Sequence, residues 1–150
     1  MKRSVLPLVT LCCVALPAMA EPQCTPKTTR GTWEYTCEGF LPPTQGAPLA
    51  AARLLGTCTA SDTAYWSCLG SFNVGGFVVQ KGHSLKGQAI NNEDCTGTII
   101  YQTAVFGQPG PNLDIQYVIW DDGDRISGLP VNSGGVLSCS LHRMSKSFHN

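Results

Sequence analysis

The side chains most able to do chemistry lie together in the string "VIWDDGDRI", residues 118–126, where Asp121, Asp122 and Asp124 crowd between two apolar runs. Carboxylates so close could hold a divalent cation, or could act as a proton donor and nucleophile on a glycosidic bond. Both uses need more than the string supplies. A calcium loop spreads its ligands over about twelve residues and closes on a bidentate Glu, and no Glu follows Asp124. A glycosidase acid must be buried to keep its proton, whereas acids at a turn are solvated. A β-hairpin explains the string more simply, because Asp-Gly supplies the two positive-φ positions of a type I′ turn. With Asp122-Gly123 at the turn, Ile119 faces Ile126, Trp120 faces Arg125 for a cation–π contact, and Asp121 faces Asp124. That last pair sets like charges opposite each other, a repulsion that water or a bound cation would relieve. Asp121 and Asp124 therefore stay as candidate metal ligands, and no other residues ask for a metal or cofactor.

The histidines are His83, His142 and His149. His83 sits between Gly82 and Ser84 at an expected strand break, which reads as polar surface, with general base as the sharper alternative. His142 ends the last expected strand and His149 falls in the tail. There is no Gly-x-Ser-x-Gly elbow, and the glycines of "GSFNVGG" follow no strand-to-helix pattern. With no catalytic constellation, the expectation is a protein that is not an enzyme. The aromatics Trp33, Tyr35, Trp66, Phe72, Tyr101 and Tyr117, with Phe106 and Trp120, are the better site candidates. In a small barrel they either fill the core or line a cavity for one small apolar ligand.

The elements that must position these residues begin after a leader. Lys2 and Arg3 precede the apolar run "VLPLVTLCCVALPAMA", and Ala18-Met19-Ala20 marks a signal-peptidase site. The expectation is a signal peptide over 1–20 and one domain over 21–150, exported to the periplasm or the medium. Cys12 follows Leu11, where lipoprotein processing requires a small residue. The run is too short for a membrane span, and no second one follows. The chain has ten basic and ten acidic residues. Losing Lys2 and Arg3 leaves the remainder slightly acidic, with no basic patch for nucleic acid. Cys24, Cys37, Cys58, Cys68, Cys95 and Cys139 remain, an even set with no Cys-x-x-Cys spacing, which reads as disulfides.

The rest of the chain alternates in twos between turn signals. In "GTWEYTCEGF", Trp33, Tyr35 and Cys37 share one face. "LPPTQGAP" and "GQPGPN" read as loops, "LAAARLLGTCTA" as strand or helical turn, and Gly75-Gly76 as a hairpin turn. The tail after Met144 reads as frayed. About eight strands result, suited to a single antiparallel up-and-down barrel, with a β-sandwich as the alternative. A hairpin centred on Thr63 sets Cys58 opposite Cys68. Barrel closure would bring Cys37 to Cys139, leaving Cys24 for Cys95. Only the first of these pairings has a local argument.

"CTPKTTRGTWEYTCEGF", "NNEDCTGTIIY" and "YVIWDDGDRISGLPVNSGGVLSCSLHR" resemble a group of small exported bacterial proteins. The resemblance implies a calycin-type β-barrel, in the broad company of lipocalins and avidins, and carries over no site residues. "TASDTAYWSCLG", with Cys58 and Cys68, departs from that pattern. The functional expectation is a non-enzymatic exported binding protein. It would take a small apolar ligand in the barrel or contact an envelope or extracellular protein through its loops. One alternative is an inhibitor or immunity-type protein that blocks an envelope hydrolase, presenting "LPPTQGAP" or "GQPGPN". A hydrolase using Asp121, Asp124 or His83 is the other.

Overall fold

A computed structural model describes residues 23–43 and 46–146. The expected signal peptide, Thr44 and Gln45 of the first loop, and His149 lie outside the described residues. A 3-10 turn, Pro26–Thr29, precedes the strands β1 (Gly31–Leu41), β2 (Ala50–Ala60), β3 (Tyr65–Val74), β4 (Phe77–Asn91), β5 (Thr96–Val105), β6 (Gln108–Trp120), β7 (Arg125–Pro130) and β8 (Val136–Ser145). Each strand pairs antiparallel with the next and β8 returns to β1, giving a closed up-and-down barrel rather than a sandwich. Period-two alternation drives this: on β1, Trp33, Tyr35 and Cys37 are buried while Glu34 and Glu38 face water.

The hairpins follow their turn chemistry. Gly75 and Gly76, at φ 58° and 89°, connect β3 to β4 with Val74 opposite Phe77. One open choice is settled and two segments differ from the sequence reading. "LAAARLLGTCTA" is strand, carried by β2. All of "GQPGPN" except Gly107 lies within β6 rather than in a loop, because the turn is made by Phe106-Gly107, with Val105 opposite Gln108. Prolines are tolerated there because β7 reaches only from Trp120 to Ile115, so one edge of β6 before Ile115 has no strand to bond. Asn132 caps part of that edge, accepting from Asp114 N–H and donating to Asn112 C=O. The other difference concerns the strand break expected around His83, between Gly82 and Ser84. It is a bulge within the single strand β4, where Lys81 takes φ 51° and donates its N–H to Ser71 Oγ.

Disulfides join Cys58 to Cys68 and Cys37 to Cys139, both directly opposite in register. Cys24 joins Cys95, holding the N-terminal segment to the β4–β5 turn. Three disulfides fit an oxidising, non-cytoplasmic compartment. Among the described residues, no helix is long and apolar enough to cross a membrane.

Inside, Tyr35 lies across β2 and β3, where its register partner Gly56 and Gly70 opposite Gly56 leave room for the ring. A Cβ on Gly70 would fall 2.2 Å from the Tyr35 hydroxyl and 2.4 Å from the Leu55 carbonyl oxygen. Gly70→Ala should therefore cost about 1–3 kcal/mol of stability. This would appear as a lower urea midpoint with an unchanged m-value; an unaltered midpoint would place the ring elsewhere.

Candidate functional site

The acidic string forms the expected turn. Asp122 has φ 53° and ψ 32° and Gly123 has φ 88°. Asp124 N–H donates to Asp121 C=O at 3.0 Å, and Ile119 faces Ile126 with Trp120 facing Arg125. The carboxylates do not oppose each other as expected, because Asp121 is itself turned to φ 50° and leaves the ladder. Asp121 pairs with Arg125 at 3.2 Å, and Asp124 pairs with Arg143 at 3.0 Å and Lys146 at 3.5 Å. Arginines thus occupy the positions a cation would take. Among the described residues, no group of three or more His, Cys, Asp or Glu side chains gathers to hold a metal.

With Arg125 held by Asp121, the cation–π contact is made elsewhere. The Arg143 guanidinium lies 4.3 Å from the ring centre of the fully buried Trp33. The Arg143 side chain is only 6% exposed. It donates to the carbonyls of Thr28, Arg30 and Gly123 and to Asp124. Burial presses its pKa below the ordinary value, and Asp124 acts the other way. Trp33 Nε1–H donates to Thr29 C=O at 2.9 Å. Together these contacts seat the 3-10 turn over one barrel end. Sequence reasoning passed over Arg143, yet a signal was present: it continues the inward parity of Leu137, Cys139 and Leu141.

The aromatic candidates do converge. Tyr35, Trp66, Tyr101 and Tyr117 line an apolar cavity with Leu85 and Leu113, and its volume is about 50 Å³. Trp33 packs behind, 5.7 Å from Trp66 between ring centres. Phe72 is half-buried towards the far end, while Phe106 and Trp120 are exposed outside the barrel. Ligand pockets commonly measure about 300–1,000 Å³, so this interior is close to filled by its own side chains. Burial pushes the Tyr35 and Tyr117 hydroxyls up to about 12 and raises Tyr101 further. Tyr117 donates to Asn91 Oδ1. The Tyr101 hydroxyl lies 3.8 Å from Cys68 Sγ and must be the donor, since a disulfide sulfur carries no proton. Tyr35 Oη and Trp66 Nε1 are buried without a hydrogen-bond partner.

His83 is not polar surface: it is 6% exposed and points inward from β4. The bulge turns Lys81 outwards and lets His83 keep the parity of Leu85 and Ala89. Its ring meets Phe72 edge-on at 5.3 Å, and its Nδ1 is buried without a partner. No general-base geometry surrounds it, because Asp121 and Asp124 lie at the opposite end of the barrel.

That opposite end contrasts with the rim near Phe72. The connections β1–β2, β3–β4, β5–β6 and β7–β8 meet at this rim. Segments 40–51, 72–81, 103–112 and 129–137 contain one charged residue, Lys81. Phe40, Phe77, Val78, Phe106, Val131 and Val136 are all exposed there. The capped end carries Asp62, Glu93, Asp94, Asp121, Asp122, Asp124 and Lys146 on its turns and tail. No family model matches the chain, and no curated protein matches it.

Two outcomes follow from these contacts. Arg143→Met strands the carbonyls of Thr28, Arg30 and Gly123 and should cost about 2–4 kcal/mol, measured by urea unfolding followed through tryptophan emission. Burial lowers the His83 pKa from its ordinary 6.5, so the unfolded chain takes up the proton first. Stability is then complete above pH 6.5 and declines as pH falls through that value towards the lower folded one. Melting temperatures between pH 5 and 8 should show this decline, and His83→Phe should flatten it.

Proposed function

We propose that the protein is a non-enzymatic exported binding protein that engages another protein through the charge-poor rim of the barrel. One observation carries this reading: the axial split between a charged, capped end and a rim dressed with phenylalanine and valine. Protein interfaces are depleted of charge at their centres and enriched in aromatic side chains. An anionic lipid surface would instead favour a cluster of Lys and Arg, with Trp and Tyr at the interface. The rim offers Lys81 alone and its aromatics are Phe40, Phe77 and Phe106, so a protein partner fits better. The interior volume of about 50 Å³ favours surface contact over an enclosed small apolar ligand.

The basic-then-apolar start and the three disulfides support export to the periplasm or medium. Eight-strand up-and-down closure supports a calycin-type affiliation. An inhibitor or immunity-type role is the case in which the partner is an envelope hydrolase. The β5–β6 hairpin favours it, because Pro109 and Pro111 stiffen the projecting β6 arm.

The reading is tested with a photo-crosslinking amino acid placed at Phe106 on the rim and, separately, at Trp120 on the capped end. In producing cells, the rim position should give a discrete protein adduct, while the Trp120 position should not. Phe77→Ser should then weaken binding of the captured protein by roughly 30-fold without moving the melting temperature. Equal adduct patterns from both ends, or none from the rim, would overturn the proposal.

A further inference from the structure

We propose that His83 makes the rim responsive to pH: when its imidazole gains a proton, the Phe72–Phe77 corner rearranges and the rim loses its binding shape. This rests on the rim being the binding surface, and it names how that surface is regulated.

Only two contacts separate the titratable group from the rim. The imidazole meets the Phe72 ring at 5.3 Å and an interplanar angle of 87°. Phe72 in turn lies 6.0 Å from Phe77, which is exposed beside the β3–β4 turn. Around His83, β3 contributes Gly70 and Phe72, β5 contributes Val105, and β1 contributes the Tyr35 hydroxyl, which reaches Gly70. On β4 itself, Lys81 carries its ammonium outwards from the bulge. No carboxylate stands among these groups, and burial lowers the imidazole's proton affinity.

An imidazolium formed in that place has no counter-charge and an unpaired Nδ1, so its most favourable response is to move towards water. The route lies past Phe72, which is half-buried and forms the boundary between the interior and the rim. The backbone beside it is already bulged at Lys81, and Phe106 covers Gly82 from outside. Movement of the His83 ring therefore displaces Phe72 and carries Phe77 with it. The far end, with Trp33 under Arg143, shares none of these contacts. A protein outside the cytoplasm meets the pH of its surroundings, and this arrangement would release a partner in acid.

Aromatic-region NMR of the disulfide-bonded mature chain tests the coupling without any partner. Between pH 7.5 and 5, the His83 ring should titrate with a midpoint below 6.5. Phe72 and Phe77 ring resonances should shift with the same midpoint, while Trp33 resonances stay still. In His83→Gln the Phe77 shift should vanish, and His83→Phe provides a second variant if the first folds poorly. Phe77 resonances that stay fixed while His83 titrates would overturn the proposal, as would a His83 that titrates only as the whole chain unfolds. Neither result bears on whether the rim binds a protein, which the crosslinking comparison decides separately.

Discussion

The barrel depends on the way Arg143 is held. A guanidinium carries five N–H donors in a fixed plane, and here that plane rests on Trp33 while its edges reach carbonyls from the N-terminal turn and the β6–β7 turn. A charged group so nearly excluded from water is costly unless its donors are satisfied. Three chain segments distant in sequence must be in place before that condition is met. The contact therefore works as a latch: it is favourable only in the assembled end, and it fixes the 3-10 turn as a cap. Asp124 adds the counter-charge from a half-exposed position, which limits how far burial can destabilise the cation.

With one end latched, the molecule acquires a direction. Charge is concentrated on the capped end, where turns are short and exchange ion pairs such as Asp121–Arg125. The opposite end is shaped by apolar turn residues and by strands of unequal length. β6 overhangs β7, and β4 bulges at Lys81. The β4 bulge is tied to the disulfide-bonded wall formed by β1, β2, β3 and β8, with Lys81 N–H meeting Ser71 Oγ on β3. A sheet that closes on itself has no exposed edges to manage, save where a neighbour stops short. Here prolines and the Asn132 side chain blunt that remaining edge.

Much of this was readable wherever local parity was enough. The register of Ile119 against Ile126 and of Cys58 against Cys68 followed from turn position alone, because a two-fold repeat admits few alternatives. What escaped depended on neighbours distant in the chain. "GQPGPN" carries loop chemistry, and only the early end of β7 shows why prolines can sit in a strand there. His83 and Arg143 both lie at inward parity, which the residues around them display. Gly82 suggested a break at the first, and the second drew no reading although it continues the parity of Leu141. The tyrosines and tryptophans were legible as a set facing inwards, but the volume they leave depends on packing that no pattern of types reveals.

The pairing of the cysteines bears on how such a chain could be made. Cys58–Cys68 spans 10 residues, whereas Cys24–Cys95 and Cys37–Cys139 span 71 and 102. Were the chain exported N-terminus first, as proposed, Cys24 and Cys37 would reach the oxidising side long before their partners. Linking cysteines in order of emergence would join Cys24 to Cys37 and close a loop the finished barrel does not contain. Reaching the native set then requires a thiol–disulfide isomerase or late oxidation, with the final strand delivering the sulfur that seals the first.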